Sequence, residues 1–592
     1  MKAYNNGNWT DDWKKYEAGK KYNRKLKPPY YDNATINWDF YNSNQYPGLE
    51  DVDTPKPVFN IIKRLVSYFV SAITSTKISV TMEPMAYMDD DAQLNMEQNA
   101  ATVVSAQVNN LFEQFRMPNK IKKAALDGAV QGDYCAHIMF NPNKKPYGGM
   151  FESKGIQGDI EFELIDGNNV YLGNPNNTII SKDVQPYVII AGRDTVEKLK
   201  NEAESFKNDF EEIAWDSDTK EQVGQGGHIE IEADTDNTDK ATYIILYKPN
   251  KSGTISVSKC VCTTYIYKDI DTGYTEYPVS WGVWEEQKNQ YHGSALVTGI
   301  IPNQIFINRA FAIQMVYLLN NAFQKAVYNA DRITSWTSDY GVAIPVSDLQ
   351  PGESIKNVAG YLENGTVNGQ VMQTIDSAIR YTMDLAGANE NALGSVKPDN
   401  ASAIIATQRQ AAIPLENPRN NIKEWVYSIV MIMVDVMGTK YGTRPIVVEK
   451  DGQKQVVMFD FNTIKDINLN TKIQVGDGSY YSELAAIQTL DNYFANDKIT
   501  SIEYFERIQK VNQDYIPDVQ GLIDSLKAQQ QEERAQMQAQ AQQAPQEQSE
   551  PQNDDMAWEW LSQQPQEIQQ QVMQLPEEQQ LQAVQQLMTG GV

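Results

Sequence analysis

Apolar and polar positions follow several rhythms along this chain, and the most demanding one runs from Gln304 to Ala330. There Ile305, Phe306, Ile307, Ala310, Phe311, Ile313, Met315, Val316, Leu318, Leu319, Ala322, Phe323 and Val327 leave almost no polar stripe. Such a helix, apolar all round, must be covered on every side. Its longest uninterrupted apolar run is far short of the ~18 residues that cross a bilayer. Asn303, Asn308, Arg309, Gln314, Asn320 and Asn321 interrupt it. The cover is therefore expected to be protein, from the same chain or from further copies of it, with no membrane.

Beyond Asp331, Pro345, Pro351-Gly352 and Asn364-Gly365 mark turns between short β-type runs, a small lobe inserted between helices. A second helix follows with Met372, Ile375, Ile379, Met383 and Ala386 at three-and-four spacing, amphipathic where its predecessor is not. Gly387, Gly394 and Pro398 break it, and helical residues resume near Ala401. Within that third helix Pro414 removes an internal hydrogen bond and Pro418 follows one turn later, predicting a bend or break near Ile413. Further on, Ile422, Trp425, Val426, Ile429, Val430, Met433 and Met437 define a buried face.

Strand rhythms appear in Ala136 to Phe140, Asp159 to Ile165 and a meander of Tyr243–Tyr247, Thr254–Ser258, Val261–Tyr267 and Tyr274–Trp284, with Asp271-Thr-Gly273 as one hairpin turn. A charged helix is expected from about Thr195 to Ile213, strands at Pro445–Val448 and Gln455–Phe461 that rejoin the main sheet, and helices over Ser482–Lys527 parted near Asp497 and Pro517. The first 53 residues mix Trp, Tyr, Asn, Lys and Pro in neither rhythm and read as an extended arm, docked on a neighbouring copy or on its own chain. From Ala528 the composition turns Gln-rich and Arg534 is the only cation beside ten carboxylates. That stretch reads as largely disordered, with Ile568, Val572 and Leu575, then Leu581, Val584 and Met588, marking two short amphipathic helices around Pro576.

At 592 residues the chain exceeds one core, and its net charge of -26 opposes gripping of nucleic acid, which needs clustered Lys and Arg. The same acidity suits a wall past which a duplex slides, and equally suits a chain that only needs solubility. Three cysteines, an odd number, and the lack of a signal peptide point to a reducing compartment without disulfides. Cys135-Ala-His137 and Cys260-Val-Cys262 lack the usual zinc-ligand gap and are expected to pack on strands. Asp234-Thr-Asp-Asn-Thr-Asp239 lacks the central Gly of a calcium loop and has Ile245 in place of the bidentate Glu. The nearest spacing to a phosphate loop, Gly360 to Gly365, is followed by Thr366 with no Lys, and His137, His228 and His292 lie in no nucleophile motif. No cofactor, metal or catalytic residue is expected.

The order of helix, inserted lobe, helix, loop and kinked helix resembles that of the portal proteins of tailed bacteriophages. Pro57 to Pro84 is similar to that family's opening helix and short strand, and Ile160–Leu172 with Pro186–Leu199 to its wing. The resemblance covers about residues 55–440 and lies in element order rather than in a strict signature. It implies an α+β portal-type fold: arm 1–53, mixed α/β wing 54–300, stem helix 301–330, α/β clip 331–371, second stem helix 372–388, tunnel loop 389–401, kinked tunnel helix 402–440, wing return strands 441–478, helical crown 479–527 and Gln-rich tail 528–592.

It further implies a homo-oligomeric ring, twelve copies in the family, at one capsid vertex of a virion made in bacterial cytoplasm. Double-stranded DNA would pass through that ring without sequence preference. Terminase and then a head-to-tail adaptor would dock on it, with major capsid protein and scaffold as further partners. Phe306, Phe311, Met315, Leu318, Leu319 and Phe323 would form the stem interface, and Asn391, Leu393, Gly394, Ser395, Lys397, Asp399 and Asn400 the tunnel loop, with Lys397 its only cation. Two rivals remain: a metal-dependent nucleic-acid-processing enzyme, and another multimeric head-tail connector.

Overall fold

The computed structural model describes residues 9–46, 55–74, 78–84, 91–144, 158–214, 216, 239–322, 325–337, 341–362, 370–388, 413–450, 453–467, 469–475, 480–496, 498–511, 519–543 and 552–590. The fold is α+β, 53% helix against 19% strand, and it divides into one unit over residues 1–485 and a second over 486–592.

The first unit opens on α1 (Asp11–Lys25) and α2 (Tyr30–Tyr41), correcting the expected extended arm. Thr10 caps α1 by accepting from the Trp13 amide at 3.2 Å, with Asp11 and Asp12 in the first turn and Arg24 and Lys25 in the last. Of its buried positions Asp12, Trp13, Tyr16, Lys20 and Asn23, the last four are spaced at three and four, but three of the five are polar. An apolar count therefore misses a helix that docking shapes. Helix α3 (Ile61–Thr74) is strongly amphipathic and buries Ile62, Leu65, Val66 and Phe69; strand β1 (Ile78–Pro84), α4 (Asp91–Gln114) and α5 (Met117–Gln131) follow.

Strand β2 (Asp133–Asn141) pairs antiparallel with β3 (Asp159–Ile165). Strands β4 (Val170–Leu172), β5 (Val188–Thr195), β6 (Lys240–Pro249), β7 (Ile255–Cys260) and β8 (Tyr265–Asp271) form a five-stranded antiparallel sheet, and α6 (Val196–Ser205) follows β5. The charged helix thus ends about two turns before Ile213. Strand β9 (Val279–Val283) leaves the expected meander: Gly273 takes φ +76° at the turn and the strand crosses to pair with β2, Asp133 opposite Val283. The core lies between this β3-β2-β9 sheet and the helices.

Helix α7 (Leu296–Ala322) starts and ends earlier than the expected 301–330 span, and the chain reforms as β10 (Ala326–Tyr328), paired with β11 (Ala359–Tyr361). Asn320 and Asn321 precede β-branched Val327, which suits a strand better than a fourth stretch of helix. Helix α8 (Gln370–Leu385) returns the chain, and after a 3-10 turn at Ile413–Leu415 helix α9 (Glu416–Lys440) runs through the core. Ile422, Trp425, Val426, Ile429, Val430, Met433 and Met437 are all buried. Trp425 Nε1 donates to the Ser280 carbonyl at 3.1 Å, while Ser280 Oγ donates to the Trp425 carbonyl at 3.2 Å, tying α9 to β9.

Strands β12 (Thr443–Lys450) and β13 (Gln453–Asp460) pair with each other rather than rejoining the larger sheet. The returning strand is β14 (Leu469–Val475), which pairs with β1, Ile78 opposite Val475. Helix α10 (Tyr480–Ala495) begins at the end of the first unit. In the second unit lie α11 (Ser501–Val511), α12 (Val519–Gln543), α13 (Gln552–Ser562), α14 (Gln566–Met573) and α15 (Glu577–Thr589), so the stretch expected to be largely disordered is mostly helical where described.

Candidate functional site

The three cysteines and His137 fall on the five-stranded and β2 sheets or beside them. Cys135 and Cys260 are buried on β2 and β7, and burial pushes the Cys260 and Cys262 thiols up to about 12. His137 Nε2 is bonded to the Tyr247 hydroxyl at 2.8 Å, and burial lowers its pKa to about 4, which keeps the ring neutral. The Asp234–Asp239 loop lies outside the described residues, apart from Asp239 at its end. Among the described residues no group of three or more His, Cys, Asp or Glu is placed to hold a metal.

The feature left to explain is the α7–α8 pair. At its root Gln304 is buried and accepts from the Ile61 amide at 3.0 Å, while its Nε2 donates to the Phe59 carbonyl at 2.8 Å and to Asn308 Oδ1 at 2.9 Å. Asn308, buried as well, donates in turn to Gln45 Oε1. The side-chain oxygens and nitrogens of Gln304 and Asn308 thereby all find partners, which burial demands. The sequence carried the sign: two amides at i and i+4 in an otherwise apolar helix. Yet Asn308 reads there only as an interruption.

Past the root the picture changes. From Arg309 to Asn321 no residue is buried. Ile313 is 68% exposed and Leu318 55%, and Phe306, Met315, Val316 and Leu319 are exposed too. Of the expected stem residues, Phe306, Met315, Leu318 and Leu319 face outward; Phe311 instead packs on Phe59 of its own chain, ring centroids 4.1 Å apart. Phe323 lies outside the described residues. On α8, Ile375 and Thr382 are buried while Met372, Tyr381 and Leu385 are exposed.

By length and composition Leu296–Asn321 is apolar enough to cross a bilayer, and 28% of its apolar window is buried. The root is occupied by α2, α3 and α5. The bare remainder from Arg309 spans about 21 Å at 1.5 Å per residue, short of the ~30 Å hydrocarbon layer. It also carries Arg309, Gln314, Asn320 and Asn321.

Between the two helices sits the small lobe. Trp336 stacks on Tyr328 at 5.4 Å and meets Tyr361 edge-on at 6.2 Å, joining the two strands, and Arg332 pairs with Glu353 at 2.8 Å. Among its described residues only Ile333 and Val358 are buried hydrophobics, while Val342, Leu349, Ile355 and Leu362 stand exposed.

The α8–α9 junction follows from Gly387. With φ +82° it closes α8 in the left-handed region, donating to the Asp384 carbonyl at 3.0 Å, and a Cβ there would lie 2.5 Å from Pro414 Cβ. Pro414 thus packs against the end of α8 from the 3-10 turn. Pro418 stands in the first turn of α9, where a missing N–H is unneeded. The expected tunnel-loop residues Asn391, Leu393, Gly394, Ser395, Lys397, Asp399 and Asn400 lie outside the described residues, as does the stretch 402–412.

No protein-family model matches the chain, and no curated protein matches it.

Proposed function

We propose that this chain is a portal-type subunit, several copies of which close into a ring around a DNA channel at a capsid vertex. One observation carries the reading: a two-helix stalk, rooted in an α/β body by the Gln304–Asn308 clamp and tipped by a small β lobe, leaves Phe306, Ile313, Met315, Val316, Leu318 and Leu319 of α7 uncovered in the single chain. Burying six such side chains against neighbours is worth roughly 10 kcal/mol gross per subunit. That is enough to couple assembly to the stability of the stalk once association costs are met. A head-to-tail contact of this kind closes a ring when its rotation fits.

In this reading the lobe meets the packaging terminase and later a head-to-tail adaptor, the body meets capsid and scaffold protein, and duplex DNA passes without sequence readout. The net charge of -26 per chain supports sliding over gripping. Catalysis has no part in it. Native mass spectrometry and negative-stain microscopy of the purified chain test the proposal: a ring with a central hole is expected, whereas a monodisperse single chain, or metal-dependent DNA cleavage, overturns it. Lys397→Glu is expected to leave ring mass unchanged and to alter retention of packaged DNA, read by nuclease protection; unaltered retention removes Lys397 from the channel's working parts.

A further inference from the structure

The last described stretch folds around a centre of its own. Ala557, Leu561, Val572 and Val584 of α13, α14 and α15 are buried against one another, with Trp560 and Ile568 packed on them. Pro565 and Pro576 open α14 and α15, a position where the missing amide is harmless. Glutamines fix both turns. Gln569 Nε2 donates to the Ser562 and Gln564 carbonyls at 3.0 and 2.8 Å, and Gln580 Nε2 donates to the Leu575 carbonyl at 2.7 Å.

This small bundle leaves much of its apolar material outside. Met573 is 64% exposed and Met556 54%, and Trp558, Leu575, Leu587 and Met588 are exposed as well. Methionine is unbranched and polarisable, so exposed methionines adapt to the shape of what covers them. The charge says what that is. Residues 552–590 hold six carboxylates and no Lys, Arg or His. A second copy of the bundle, a nucleic acid and an anionic membrane would all be repelled, whereas a cationic partner is steered in.

We propose that the α13–α15 bundle is a docking module for a basic amphipathic helix of a partner protein. The partner's apolar side would cover the methionines and Trp558 while its Lys or Arg residues meet the carboxylates. This inference does not depend on the ring.

The probe is a fluorescently labelled synthetic helix with Leu on one face and Lys on the other, titrated into the full chain and followed by anisotropy. Binding is expected to weaken steeply with added salt. The double variant Met556→Gln with Met573→Gln should weaken it by about tenfold or more, two exposed apolar side chains having lost their contribution. Both residues lie outside the bundle's core, so the fold is retained. A second variant, Glu559→Gln with Glu567→Gln, is expected to weaken binding several-fold at low salt while leaving the apolar surface intact. Wild-type affinity in both variants overturns the proposal. So does equal binding of a Leu/Glu helix of the same pattern, or self-association that the methionine variant abolishes.

Discussion

Asp127 on α5 illustrates how a single side chain sets a pH dependence. Burial, and then the nearby charge of Asp166, raises its pKa to about 7, with Lys123 opposing. The folded chain therefore holds a proton that the unfolded chain has released between about pH 4 and about pH 7. Stability from this group falls as pH rises through that window and stays low above it. Asp127→Asn is expected to remove the decline. The gain over wild type should be near zero at pH 4 and reach on the order of 1 kcal/mol above pH 7, a thermal-melt difference that widens with pH. A constant difference across the window contradicts the assignment. No sequence pattern points to Asp127, because the carboxylate that adds to the effect of burial, Asp166, stands just after β3, far along the chain. Trp425 and its neighbours on α9 are the opposite case: their three-and-four spacing announces the buried face that the fold displays.

Helices and strands show where local pattern is sufficient and where packing decides. Helix α9 is legible because nearly every inward position is apolar. Helix α1 is not, because Lys20 and Asn23 occupy inward positions that polar partners make tolerable: Lys20 pairs with Glu17 one turn back on the same helix at 3.3 Å, and Asn23 Oδ1 accepts from the hydroxyl of distant Tyr291 at 3.2 Å. Strand pairing is hidden for a related reason. Nothing in Val279–Val283 says that it prefers β2 to β8, and only the route after Gly273 settles that. The α8–α9 junction yields an element-scale prediction. Gly387→Ala places a methyl group against Pro414 in a left-handed residue and is expected to lose about 1–3 kcal/mol of stability by chemical denaturation. Combining it with Pro414→Gly should recover the part due to the clash, leaving the backbone part. Full retention of stability in the single variant removes this junction as a constraint.

On the scale of the whole molecule, the order of helix, lobe, helix and buried helix is what the sequence displays most plainly. The chain's own uncovered surface is what it displays least, since apolar pattern is blind to which copy supplies the cover. Charging that surface separates the two. Ile313→Glu with Leu318→Glu is expected to reduce the native mass to that of one chain while far-UV circular dichroism and the melting of the body stay unchanged. Loss of the body's cooperative melt would mean that α7 is an internal core helix after all. The clamp at Gln304 and Asn308 has a mechanical corollary. A hairpin held firmly at one end and unsupported beyond it behaves as a cantilever: a load applied to the lobe bends it least at the tip and most just past Asn308, so the amides of Arg309 to Gln314 are where deflection would first register as faster hydrogen exchange.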